Sequence, residues 1–329
     1  MQPRILAVYN LCGLKHNNIS IWRDYIYKLA TQDDPNFDLA ISACNVDKET
    51  KKILEDQVSH FDGGSMLGCK RACVNFIDDI LPAQVTFNRT CQLFAHEKYT
   101  GKIKYDGFLY VASDVECTDR LAIQKLVDFH FAGPDSKGSY GHTAAYVDKD
   151  HGLEYHPDRR KAIQEGKNLT FGQGHAFHTH FNLIDKSVYE AFGNRCLPDI
   201  FAAFCAESVY CYIVAAVDKR LGMLNAKDLT LHHIDNLDGC SVGFPDHGTK
   251  EDVPRGPYHL FRSKIGAKER CMSREAWSVG FGYEELRGYF PHDRGWYING
   301  YHKNPELLKN FVKKAVFLSR DEFDYDTIK

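Results

Sequence analysis

The sequence has little of what marks a specialised protein. Proline numbers 11, methionine 4 and tryptophan 3 in 329 residues, so neither a proline-rich spacer nor a methionine-rich adaptable surface organises the chain. No stretch approaches the roughly 18 to 20 uninterrupted apolar residues that a membrane-spanning helix needs. The opening MQPRILAVYN has no basic segment ahead of a long apolar one, and the fold is expected to begin at once, with no targeting peptide. An excess of one charge is missing too: 41 Lys+Arg stand against 44 Asp+Glu, a formal net charge of −3. That balance supplies no global field toward nucleic acid or an anionic membrane, so whole-chain charge names no partner, and no nucleic-acid partner is expected. The 11 cysteines are an odd number without a Cys-x-x-Cys spacing, which argues against a disulfide framework and for reduced thiols in a cytoplasmic setting. No Gly-x-Gly-x-x-Gly follows the first apolar run and no Gly-Lys-Ser/Thr loop occurs, which disfavours a dinucleotide oxidoreductase and a P-loop NTPase.

What is present is an alternation of apolar runs and helical stripes. Ile5 to Tyr9, Asp38 to Cys44, Gln84 to Phe87 and Gly107 to Ala112 read as strands, and Ile19 to Ala30, Asp47 to Ser59 and Arg89 to Tyr99 as helices. This order predicts an α/β fold with a mostly parallel, Rossmann-like three-layer sheet. Ala144 to Asp148 and Leu229 to Ile234 are further strand candidates, and Pro198 to Leu221 is a strongly apolar helical stretch. Residues 240 to 300 are rich in Gly, Pro, Tyr, His and Arg and read as a loop-rich cover. Asn304 and Pro305 then open a terminal helix.

In parallel sheets ligands bind beyond the carboxyl ends of the strands, so the residues that follow Gly107 to Ala112 carry the most information. They are Ser113-Asp114-Val115-Glu116. Two carboxylates at i and i+2 on an extended chain face the same way. Converging there, they predict a hard divalent cation, Mg²⁺ or Mn²⁺, with diphosphate oxygens as its further ligands. Glu207 sits in the apolar helical stretch, where an unpaired carboxylate is costly. It should face a cavity or a partner, and a raised pKa there would suit a general base. His178-Thr179-His180 would place two imidazoles on one face of an extended chain. That pattern reads either as a transition-metal site or as interior histidines bonded to the backbone.

An α/β half, an Asp-x-acidic triplet after a buried strand, an acidic helix start and a strand ending in His232-His233 together resemble nucleotide-sugar-dependent glycosyltransferases of the GT-A fold, and most of all the broad family-2 type. The resemblance covers roughly residues 3 to 240. It implies Asp114 and Glu116 as metal ligands, with Asp114 also contacting the donor, and Glu207 as the acceptor-activating base. It further implies His233 as the late metal histidine, with His232 as the alternative, and Tyr9, Asn10, Asn88 and Arg89 around the nucleobase. The triplet is Asp-Val-Glu rather than Asp-x-Asp, and Ser208 follows Glu207 where inverting members place a second acid. The base is therefore Glu207 or Asp199, or the reaction is retaining. The expected protein is a catalytic domain over 1–240, with a donor half 1–120 and an acceptor half 121–240, covered by the aromatic segment 241–329. Its expected activity is transfer of a hexosyl or pentosyl group from a nucleotide-diphosphate sugar, UDP-sugar favoured, to a glycan or other hydroxyl. A sugar nucleotidyltransferase and a non-catalytic carbohydrate- or nucleotide-binding protein are the competing readings.

Overall fold

A computed structural model describes residues 2–12, 19–33, 36–61, 68–78, 83–134, 138–148, 157–171, 180–197, 214 and 217–233. The segment 241–329, its expected terminal helix and most of the apolar stretch Pro198 to Leu221 lie outside these residues.

The first half is built by repetition. Strand β1 (Ile5–Cys12) leads to helix α1 (Ile19–Ala30), strand β2 (Phe37–Cys44), helix α2 (Lys48–Phe61), strand β3 (Cys69–Ile77), helix α3 (Ala83–Ala95) and strand β4 (Gly107–Ala112). Every residue of β2 and β4 is buried, as expected of parallel strands covered on both faces. Helix α1 turns Trp22, Ile26 and Leu29 inward. Helix α2 buries Leu54, Val58 and Phe61, and it starts where Asp47 Oδ1 accepts from the Thr50 amide at 2.7 Å, an N-cap. Gly68 lets the chain pass Gln32 on its way into β3: a Cβ there would lie 1.4 Å from the Gln32 carbonyl oxygen.

The second half is made of shorter pieces: β5 (Val115–Glu116), α4 (Ala122–Ala132), β6 (His142–Ala144), β7 (Tyr146–Asp148), α5 (Pro157–Gln164), β8 (Leu169–Phe171), β9 (Phe181–Asp185), α6 (Lys186–Ala191), β10 (Leu221–Met223) and β11 (Thr230–His233). An eight-stranded sheet runs β3-β2-β1-β4-β9-β6-β10-β8, and a second sheet runs β5-β11-β7. The strands from β3 to β4 are parallel, while β9 is antiparallel to both β4 and β6.

The mostly parallel α/β architecture is as expected, but three elements differ from the reading of the sequence. Gln84 to Phe87 is the first turn of α3 rather than a strand; its polar and apolar residues alternate, yet all four are buried, so the period carried no facing information. The missing parallel strand is β3, whose polar, edge-like sequence CKRACVNFI hid it. The run Ala144 to Asp148 divides around Ala145 into β6 and β7, which serve different sheets. The described cysteines Cys44, Cys69, Cys73, Cys91, Cys117 and Cys196 are free thiols.

Candidate active site

Three chain segments meet at the carboxyl end of β4. Asp114 sits in the turn between β4 and β5. His180 directly precedes β9, and because β9 runs antiparallel to β4 its start lies beside the end of β4: the Ala112 amide donates to the His180 carbonyl at 2.7 Å. His233 ends β11, which pairs with β5 so that His233 stands opposite Val115. One ligand atom from each of Asp114, His180 and His233 lies within 4.8 Å of the others, and all three residues are partly buried. Asp114 Oδ2 is 3.7 Å from His233 Nε2, and the two imidazole centroids are 5.0 Å apart.

These residues fit a divalent metal. Metal–ligand bonds of about 2.0 to 2.2 Å put ligand atoms on opposite sides of one ion about 4 Å apart, so small side-chain rotations would bring the three donors to a common centre. Two imidazoles and one carboxylate suit a transition ion such as Mn²⁺ better than Mg²⁺, which prefers oxygen. The site is braced from β7: Asp148 Oδ1 accepts from the His233 amide at 2.9 Å and Asp148 Oδ2 from His232 Nδ1 at 2.7 Å. His232 is therefore engaged with Asp148.

Glu116 does not join this group. Its carboxylate accepts from Lys28 Nζ on α1 at 2.5 Å, and the same ammonium lies 2.6 Å from Asp24. Tyr25, beside this pair, is pushed up to about 12 by burial first and then by the Glu116 charge. Tyr9 is buried beneath the turn and donates to the Ser113 carbonyl at 3.2 Å; burial, then Asp114, raises its pKa well above the ordinary value. Asn10 Nδ2 donates to the Val8 and Val111 carbonyls, while its buried Oδ1 accepts no hydrogen bond. Asn88 is occupied by the backbone, accepting from the Cys196 and Leu197 amides and donating to the Leu197 carbonyl. Arg89 is on the exposed side of α3. Asp199, Glu207 and His178 lie outside the described residues, as does Gly239-Cys240-Ser241-Val242-Gly243, which has Gly-x-Ser-x-Gly spacing without a described strand-to-helix turn.

His180 and Lys28 are the site residues that sequence reasoning underweighted. The signal for His180 was available: it stands immediately before the strand Phe181–Asp185 with its apolar Phe181, Leu183 and Ile184, and a strand antiparallel to β4 starts where β4 ends. Lys28 carried no comparable signal, because its partner Glu116 is 88 residues away.

An open α/β sheet whose parallel strands end at a carboxylate–imidazole group defines the class. The chain has the GT-A type of fold found in glycosyltransferases. It superimposes on the mannosyltransferase PcManGT from Pyrobaculum calidifontis, solved with GDP-Man and Mn²⁺, with a TM-score of 0.53 at 10% identity over 97% of this chain and 70% of that one. GalNAc-T7, solved with UDP, GalNAc and Mn²⁺, gives a TM-score of 0.51 at 12% identity over 72% of this chain. The chain spans only 45% of GalNAc-T7. No protein-family description and no curated protein matches the sequence. Among the described residues no helix is long and apolar enough to cross a membrane.

Proposed function

We propose that this protein is a metal-dependent glycosyltransferase that moves a sugar from a nucleotide-diphosphate donor, UDP-sugar favoured, to a hydroxyl of a glycan or other acceptor. The convergence of Asp114, His180 and His233 at the end of β4 carries the proposal. These three residues would hold the metal, with Mn²⁺ favoured over Mg²⁺. Bound there, the ion supplies charge neutralisation for a departing diphosphate. Tyr9 supports the turn that carries Asp114, and Asn10 Oδ1 offers a buried acceptor to a nucleobase N–H. Glu207, or Asp199 in its place, would take the acceptor proton as the new carbon–oxygen bond forms, a contribution of about 10² to 10⁴-fold. Residues 1–120 would hold the donor, 121–240 the acceptor side, and 241–329 would cover the site. Cytoplasmic residence is part of the proposal and rests on the cysteine pattern.

The test is a thermal-shift screen of nucleotide sugars with and without Mn²⁺, followed by turnover of the donor that stabilises the protein. Asp114→Asn is expected to lower metal-dependent donor turnover by about 10²- to 10³-fold, the scale of losing an essential electrostatic group. Undiminished turnover in that variant would overturn the proposal. A donor that is bound but never consumed would favour a binding protein instead.

A further inference from the structure

The second acid of the Asp114-Val115-Glu116 triplet stands apart from the metal-competent group, and its position identifies a different task. Asp114 is carried by a turn that continues into a strand of only two residues, Val115–Glu116. So short a strand is weakly held on its own: among the described residues, two register pairs to β11, His232 with Glu116 and His233 with Val115, join it to its sheet. Its far end is tied instead to α1. Lys28 Nζ reaches Glu116 Oε1 at 2.5 Å and Asp24 Oδ2 at 2.6 Å. One turn on, the buried Gln32 takes hold of the following segment: Gln32 Nε2 donates to the Asp119 carbonyl at 2.9 Å, and Gln32 Oε1 accepts from the Ile123 amide at 3.3 Å. Helix α1 is itself immobilised by Trp22, Ile26 and Leu29, each no more than 1% exposed. Lys28 in the last turn of α1 and Gln32 just beyond the helix thus hold the chain from Glu116 to Ile123 against the core, immediately after the turn that presents Asp114.

We infer that Lys28 and Glu116 are a positioning pair: Lys28 holds Glu116 away from the metal group and fixes the turn that aims Asp114 at His180 and His233. The inference rests on the reading of Asp114, His180 and His233 as the metal site. Outer partners of this kind orient a ligand rather than replace it, and their loss typically weakens metal binding about 10- to 100-fold.

The experiment measures Mn²⁺ affinity of the full chain from the electron paramagnetic resonance signal of free Mn²⁺, without reference to turnover. Glu116→Gln keeps an oxygen that accepts from Lys28 and is expected to weaken Mn²⁺ binding by less than about 10-fold, below the range typical of a lost outer partner. The double variant Lys28→Met, Glu116→Gln has the same net charge as the unaltered protein but no ion pair, and its affinity is expected to fall about 10-fold or more. Lys28→Arg should restore binding with Glu116 intact. A loss of about 100-fold in Glu116→Gln alone, with nothing added by the second substitution, would make Glu116 a metal ligand and overturn the inference. A double variant that binds as well as the unaltered chain would also overturn it, while leaving the metal site standing. Absence of Mn²⁺ binding in the unaltered protein is the separate result that would overturn the metal reading itself.

Discussion

Two carboxylates near opposite ends of the β4–β9 pair show how one sheet divides its work. Asp185 lies opposite Gly107, where β4 begins; Asp114 lies just beyond the end of β4. Asp185 is enclosed by donors of its own chain: Ser139 Oγ at 2.7 Å, the Ser187 amide at 2.8 Å, Ser187 Oγ at 2.5 Å and Lys219 Nζ at 3.2 Å, with His130 Nε2 at 3.6 Å. Burial would raise its pKa, but the adjacent His130 ring and hydrogen bonds from Ser187 and Ser139 outweigh burial and hold the carboxyl well below the usual range. Asp114 instead lies close to two imidazoles brought from separate strands, the group to which the proposed function assigns a metal. The difference teaches that the amino end of the β4 region is completed internally and serves stability, while its carboxyl end gathers groups whose natural complement is a cation.

The sharpest way to break this comparison is to remove each carboxylate in turn. Asp185→Ala would leave Lys219 and the two serines around a buried gap, and it is expected to lower folding stability by about 3 to 5 kcal/mol, the usual cost of breaking a buried pair from one side. Asp114→Ala should change stability by less than about 1 kcal/mol, as for a partly exposed residue outside the core. Urea denaturation of the two variants measures both. Equal losses would abolish the distinction between a structural end and a functional end.

The next effect in size is on pH. His130 and His142 are fully buried and burial lowers both their pKa values, with Asp185 acting to raise His130 and Lys219 to lower it; Thr143 hydrogen-bonds His130 Nδ1, and Asn182 donates to His142 Nε2. The folded chain therefore keeps these rings neutral where the unfolded chain takes up protons. Their contribution is complete above about pH 6.5 and is lost as the pH falls below it, with a slope approaching about 1.4 kcal/mol per pH unit for each histidine. Asp185, whose folded pKa is depressed, adds stability that is present above its unfolded value near 3.9 and lost only at lower pH. Denaturation midpoints between pH 7.5 and 5 should fall accordingly, and His130→Gln should flatten the decline. A flat profile in the unaltered protein would mean that the buried histidines are not where the stability of this region resides.

How much of this was legible in the sequence follows from the range of the interactions. The strands read from the sequence as Gly107–Ala112 and Asp38–Cys44 announce themselves because burial on both faces demands a mostly apolar run, unbroken in the first and interrupted within the second only by Ser42. Asp114 was legible for the same reason, as the first acid after such a run, and His233 as a histidine at a strand end. Glu116 shows the limit. Period-2 alternation puts it on the same side as Asp114, but α1 places an ammonium within reach, and pairing across 88 residues leaves no mark in a local pattern. His180 was visible as part of a histidine cluster, yet its task depends on β9 running antiparallel, a property of topology that the sequence around it does not carry. Asn88, expected beside the nucleobase, serves instead as a bridge to the backbone of Cys196 and Leu197, a use that any buried asparagine can be given by its surroundings.

The smallest predicted effect tests whether the amino end of the sheet is a general rule or a property of Asp185 alone. Asp38, the second residue of β2, is also buried at that end, and its Oδ2 accepts from Arg4 Nη2 and from the Tyr105 hydroxyl, each at 2.7 Å. The Arg4 guanidinium also lies 5.1 Å from the Tyr105 ring centroid, a cation–π distance. Burial, and then the Asp38 charge, raise the Tyr105 pKa far above its ordinary value, which favours the neutral hydroxyl that donates to Asp38. Tyr105→Phe removes one hydrogen bond to a charged acceptor while Arg4 still neutralises Asp38 and the ring still packs, and the expected loss is about 1.5 to 3 kcal/mol, with Mn²⁺ affinity unchanged. A larger loss, accompanied by weaker Mn²⁺ binding, would show that the two ends of the sheet are coupled through β1 and β4, and the division between them would have to be redrawn.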